Sequence, residues 1–167
     1  MARDYYALLE RLESRRSAHQ RRTSLNRLGR EFGGLYPPAP ALVIRAAEDS
    51  LGFPLPPLLG AIYRKLANGG FGPGCGIVGL AGGYRCEDLL DLTLVDYHHG
   101  LKAATAEFTG QVWPEQWLTI CSMGCTLTYV IDCSQPDYSV LSVDGLLEAE
   151  RVGSFENVMD NWASGKD

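Results

Sequence analysis

No apolar run among the 167 residues approaches the roughly 20 that a membrane-spanning helix needs, so no membrane segment is expected. A secretory leader is not expected either, because no continuous apolar stretch follows Arg3. The arginine-rich start resembles a transit peptide, yet it contains Asp4, Glu10 and Glu13, and such peptides are poor in acids. The expected location is the cytoplasm. Cysteine is scarce. Cys75, Cys86, Cys121, Cys125 and Cys133 are odd in number and irregularly spaced, which speaks against a disulfide framework and for buried free thiols in a reducing compartment.

What is present is an ordinary globular balance, 46% hydrophobic and 21% charged, at a length that suits one main domain. Charge is unevenly spread. Residues 1–31 hold eight arginines against four acids, whereas residues 32–167 hold seven Lys or Arg against sixteen Asp or Glu, a formal −9. An acidic body repels nucleic acid and favours basic partners.

The first segment reads as a helix through Tyr5, Leu8, Leu9 and Leu12, with a second stripe at Leu25, Leu28 and Phe32. Gly33-Gly34 ends it, and Pro37-Pro38-Ala39-Pro40 makes a stiff connector. The division expected is a helical extension over residues 1–36 and a domain over 41–167. In the domain, Val43, Ile44, Ala47 and Leu51 share a helix face that Gly52 stops. Pro54 and Pro56-Pro57 restart the chain, and Leu58, Leu59, Ile62, Tyr63 and Leu66 form a second stripe, ended by Asn68-Gly69-Gly70. Ile77 to Leu80 reads as a strand, and Glu87 to Phe108 as mostly helical, with Glu87-Asp88 as a helix start. Trp117 to Cys121 reads as a strand with a turn at Ser122-Met123-Gly124; Cys125 to Asp132 alternates as a half-buried strand. Tyr138 to Val143 follows as a strand, then a hairpin signal at Asp144-Gly145. Ser154 caps a last helix whose core face is Phe155, Val158, Met159 and Trp162. The fold class expected is α+β: an antiparallel sheet of four to six strands with helices packed at one face, preceded by the helical extension.

Candidate chemistry is thin. Gly74, Gly76 and Gly79 fit the spacing G-x-G-x-x-G, with Asp96 twenty residues past Gly76. A dinucleotide site needs that loop to follow a strand and open a helix; here a helix precedes and a strand is expected after. No lysine stands where a nucleotide-triphosphatase loop places one. Zinc sites show paired ligands in two clusters; only Cys121 and Cys125 resemble such a pair, so neither metal nor cofactor is expected. The pair His98-His99 diverges in any regular structure, which leaves no warranted base for a cysteine nucleophile. The basic segment Arg11 to Arg30 has three readings: nucleic acid, an anionic membrane, or docking on the acidic body or a partner subunit. The absence of interleaved aromatics and the net charge of −5 favour docking or a solvated helix.

Several stretches combine into a resemblance. They are Glu48, Leu51-Gly52, Leu55-Pro56, an apolar helix and Asn68-Gly69-Gly70; then Trp117-Leu118-Thr119-Ile120, Tyr129-Val130-Ile131-Asp132 and Ser154-Phe155. Over residues 41–164 the chain resembles the SUKH superfamily, which includes fungal Smi/Knr cell-wall assembly regulators and many bacterial immunity proteins. Members often carry a glycine-acid or glycine-asparagine pair after the hairpin turn; here Gly124 is followed by Cys125 and Thr126. The resemblance implies a non-enzymatic binding module, most simply a cytoplasmic immunity protein that sequesters a cognate toxin, often a nuclease or deaminase. The −9 body suits a basic target. Leu51, Gly52, Leu55, Pro56, Gly69 and Gly70 are expected to be architectural, and Asn68 either caps the helix end or bonds the following loop. Glu48, Asp96, Asp132 and Asp137 are the expected partner-facing acids. Trp113 is either an exposed anchor, since tryptophan is enriched at binding hot spots, or a core residue before Pro114. The rival readings are a regulatory scaffold that recruits a partner through the N-terminal helix, and a small zinc- or thiol-dependent enzyme using Cys121, Cys125 and a histidine.

Overall fold

The computed structural model describes residues 5–23, 36–145 and 148–166. The stripe Leu25, Leu28, Phe32 and the pair Gly33-Gly34 lie outside them. Five α-helices are described: α1 (Tyr6–Thr23), α2 (Ala41–Leu51), α3 (Pro57–Lys65), α4 (Leu94–Thr109) and α5 (Phe155–Ala163). A four-stranded antiparallel meander lies between α4 and α5: β1 (Trp117–Gly124), β2 (Leu127–Asp132), β3 (Ser139–Val143) and β4 (Ala149–Ser154), in the order β1-β2-β3-β4. The class is α+β, as the order of helices then strands implies.

The helices bury the faces that their periodicity marks. Ile44, Ala47 and Leu51 of α2 are buried, and Gly52 at φ +81 ends the helix in the left-handed conformation. Pro56 and Pro57 open α3, which buries Leu58, Leu59, Ile62 and Tyr63. In α5 Ser154 accepts a hydrogen bond from the Asn157 amide, and Phe155, Val158, Met159 and Trp162 are buried. Leu8, Leu9 and Leu12 of α1 belong to this same core.

Four local expectations change. First, α3 ends at Lys65, ahead of Asn68-Gly69-Gly70, which instead form the turn that follows. Second, residues 77–80 are extended but are not a strand. The Val78 amide donates to the Ile120 carbonyl (2.8 Å), while Gly79 donates to Tyr84 (2.7 Å) and Ile77 to Phe71 (2.9 Å), so the backbone serves separate partners and no ladder forms. The Cys75 amide also reaches the Ser122 carbonyl (2.9 Å), and the segment covers the outer edge of β1. Third, β1 continues through Ser122 to Gly124, and the turn falls at Cys125-Thr126. Gly124 (φ +99) and Cys125 (φ +53) take the left-handed conformations that reverse the chain. Fourth, the stretch 87–108 divides into a 3₁₀ turn, Glu87–Leu89, and α4, which Thr93 caps.

Across β1 to β3 the sheet is covered on both faces, whereas β4 is largely exposed. Leu118, Ile120, Ile131 and Val140 join the main core, and a bulge between Thr119 and Cys121 turns Cys121 to the same side. On the other face Val130 and Val143 lie under Trp113, with Leu101 of α4, Trp117 and Leu141 around them. The centre of β2 is therefore covered on both sides, beyond the half-burial its alternation implies.

Candidate functional site

The α2–α3 corner is held by Glu48. Its carboxylate accepts a hydrogen bond from the Leu55 amide (3.0 Å) and closes the turn through Gly52 and Pro54. Leu51 and Leu55 enter the core on either side. Asn68, 3% exposed, then ties three segments together. Its amide donates to the Pro37 carbonyl (3.0 Å) and its own carbonyl accepts from Tyr84 (2.9 Å). Its side chain accepts from the Leu80 amide (2.8 Å) and donates to the Ala81 carbonyl (3.1 Å). Of the two roles open to Asn68, the loop hydrogen bonds are the one observed.

The glycines serve close backbone approach. A Cβ on Gly69 (φ +83) would lie 2.5 Å from the Ile77 carbonyl oxygen, and one on Gly74 (φ +57) would lie 2.1 Å from the Ser122 carbonyl oxygen. The loop is pressed on β1, with α3 before it and an extended segment after it. That is the reverse of the strand–loop–helix order that aims a helix N-terminus at a phosphate.

The other expected contact residues attach to different local structures. Asp96 lies exposed in the first turn of α4; its carboxylate accepts from the Thr93 hydroxyl (2.6 Å), which in turn accepts from the Asp96 amide (3.2 Å). Asp132 ends β2 and accepts from the Ser134 amide (3.0 Å) and hydroxyl (2.5 Å). Asp137 precedes β3 and accepts from the Ser139 hydroxyl (2.8 Å) and the Arg151 guanidinium (2.8 Å). The Ser139 bond, and then Arg151, hold its carboxyl below the usual carboxylate range. Trp113 is 3% exposed, so it is core and not an exposed anchor. Its indole N–H donates to the Trp117 carbonyl (2.9 Å), and the two rings meet edge to face at 5.6 Å.

The basic helix docks on the protein's own body. Arg11 pairs with Asp160 of α5, Arg15 lies over the Trp162 ring (4.8 Å), and Arg16 lies near the Phe71 ring (6.0 Å) while bonding Glu13 (2.7 Å). The side chain of His19 lies outside the described residues.

Cys121 and Cys125 do not form a pair: the first is buried with its thiol pushed up by burial, and the second is exposed in the β1–β2 turn. Burial, then Asp132, pushes Cys133 up to about 12. The residues that do meet are Cys75, Cys86 and Asp88, whose ligand atoms all lie within 4.8 Å of one another. Asp88 also accepts from the Ser122 hydroxyl (2.9 Å). The Cys86-x-Asp88 spacing was the one sequence signal for this cluster; Cys75 and Ser122 come to it only through the fold. His98 is 1% exposed with no hydrogen-bond partner on either ring nitrogen, whereas exposed His99 meets the Ser50 hydroxyl (3.1 Å). Burial, then His99 and Lys102, lowers the His98 pKa.

The model of the SMI1/KNR4 family (SUKH-1) matches residues 38–162. The chain belongs to this family. Among curated proteins, none matches the chain significantly. The SUKH-1 match runs from the proline connector to Trp162 of α5, so it takes in α2 to α4 and all four strands. Helix α1 lies ahead of it, yet Leu8, Leu9 and Leu12 complete the core of the SUKH-1 region. No described helix is long and apolar enough to cross a membrane.

Proposed function

We propose that this SUKH-1 chain is a non-enzymatic, cytoplasmic protein-binding module: an immunity protein that sequesters a basic cognate toxin domain, of nuclease or deaminase type, through an acidic surface. The observation that carries the reading is membership of the SUKH-1 family in a chain whose residues 32–167 bear a formal −9. Complementary charge speeds encounter and selects against wrong partners. Of the five residues expected at the interface, Asp96, Asp132 and Asp137 keep carboxylates at least partly open to solvent, whereas Glu48 bonds the α2–α3 corner and Trp113 is core. The partner surface is therefore assigned to the first three, with the exposed acids Glu87 and Asp91 nearby in sequence to Asp96.

The scaffold reading has less support. Leu8, Leu9, Leu12, Arg11 and Arg15 of α1 pack on the body, so a recruiting arm would have only the opposite face, with Tyr6 and Glu10, to offer. The test is co-expression with any toxin domain found encoded beside this gene. The chain should protect cells and bind the toxin domain with an affinity that falls at least tenfold between low and high salt. Charge reversal at Asp96, Asp132 and Asp137 together should weaken binding without unfolding the protein. A folded wild-type chain that neither protects cells nor binds the toxin domain would sink the reading.

A further inference from the structure

We propose that Cys75, Cys86 and Asp88 form a binding site for a soft divalent transition-metal ion of the zinc class. The two sulfurs and a carboxylate oxygen already lie within 4.8 Å of one another. Thiolates bound at about 2.3 Å to one tetrahedral ion stand about 3.8 Å apart, so small side-chain movements suffice to close all three on it. Two sulfur donors with one oxygen select zinc-like ions over magnesium or calcium.

The donors come from parts of the fold that are fixed independently of any ion. Cys75 is held in the glycine loop by its amide bond to the Ser122 carbonyl (2.9 Å) and by the Tyr84 hydroxyl, which donates to the Cys75 carbonyl (2.9 Å). Cys86 is 3% exposed, and its carbonyl accepts from the Leu89 and Asp91 amides (3.0 Å each), which sets the 3₁₀ turn that presents Asp88. The Ser122 hydroxyl donates to Asp88 (2.9 Å), the outer contact that orients a ligating carboxylate. The Cys75 thiol donates weakly to the same carboxylate oxygen (3.4 Å). Cys75 is half-buried and Asp88 is exposed, which leaves a path for the ion and room for water as a fourth ligand. On binding, each thiol gives its proton to solvent and its sulfur takes the metal, with no change of oxidation state.

The site is independent of toxin binding, so its failure leaves that reading untouched. The test titrates Co²⁺ into the reduced full-length chain, followed by Zn²⁺. One equivalent of Co²⁺ should give tetrahedral cobalt–thiolate absorption that Zn²⁺ abolishes, and Zn²⁺ should raise Tm. Cys75→Ser and Asp88→Asn should each weaken binding at least tenfold with an unchanged circular dichroism spectrum, whereas Cys125→Ser should not. The proposal is overturned if no thiolate absorption appears, if it survives in Cys75→Ser, or if Cys125→Ser removes it.

Discussion

Across β1 to β3 both faces of the sheet are covered, but the polar groups beside them fare differently. On the main face, Leu118, Ile120, Ile131 and Val140 join a core that includes Leu12, Tyr63 and Phe155, and the polar atoms of buried Tyr63 and Asn68 are paired. The Tyr63 hydroxyl donates to the Val78 carbonyl (2.5 Å), and Asn68 uses both ends of its amide. On the other face, Trp113 and Val130 lie against Val143, and Thr119 stands opposite Val130 in the ladder. Among the described residues, the buried side-chain polar atoms without a partner are Thr119 Oγ1 and both ring nitrogens of His98, one helical turn before Leu101. A large core tolerates polar groups only when they are satisfied, since an orphaned one costs about 1–3 kcal/mol. Thr119 therefore leaves an unmet polar cost at the small cluster, and His98, whose ring also meets Phe53 of the main core (5.9 Å), adds one that varies with pH.

The sharpest way to break this contrast is Phe155→Ala, at a ring 1% exposed in the main core. It should cost about 3–5 kcal/mol in urea unfolding. Next, Leu12→Ala should cost about 2–4 kcal/mol, because Leu12 is 0% exposed although it lies ahead of the family match. A cost below about 1 kcal/mol in the same measurement would make α1 a dispensable extension. Trp113→Ala should cost about 3 kcal/mol or less, since the cluster beneath it is small. The smallest expected effect is the most diagnostic. The folded pKa of His98 lies below its ordinary 6.5, so the unfolded chain binds the extra proton first. His98's contribution should be fully present above about pH 6.5 and should decline as pH falls toward the folded pKa. His98→Leu should flatten this decline in thermal melts and leave stability at pH 8 equal or slightly higher. A slope identical to wild type would place the titrating group elsewhere.

Much of the fold was legible because its signals are local. Periodicity marked the buried faces of α2, α3 and α5, Gly52 and Ser154 marked helix ends, and the alternation of residues 125–132 with the Asp144-Gly145 hairpin signal marked the meander. The misreadings share one cause. Residues 77–80 are apolar enough for a strand, but tertiary contacts disperse their backbone bonds among several partners. The β1–β2 turn falls at Cys125-Thr126 because Ser122 and Gly124 stay in the ladder, paired with Thr128 and Leu127. Trp113 could not be assigned to core or surface from its neighbours alone, because what buries it is Val130 and Val143 across the sheet.

The sequence by itself determined the α+β class, the helix-covered core, the glycine turns and the excess of acid, since each follows from short-range periodicity, capping or composition. The tertiary structure alone decided that Arg11 and Arg15 of α1 meet Asp160 and Trp162 of α5, that Glu48 braces a corner, and that Cys75, Cys86 and Asp88 converge. Those outcomes depend on which distant backbones come within a few ångströms of one another, and no local pattern of residues encodes that distance.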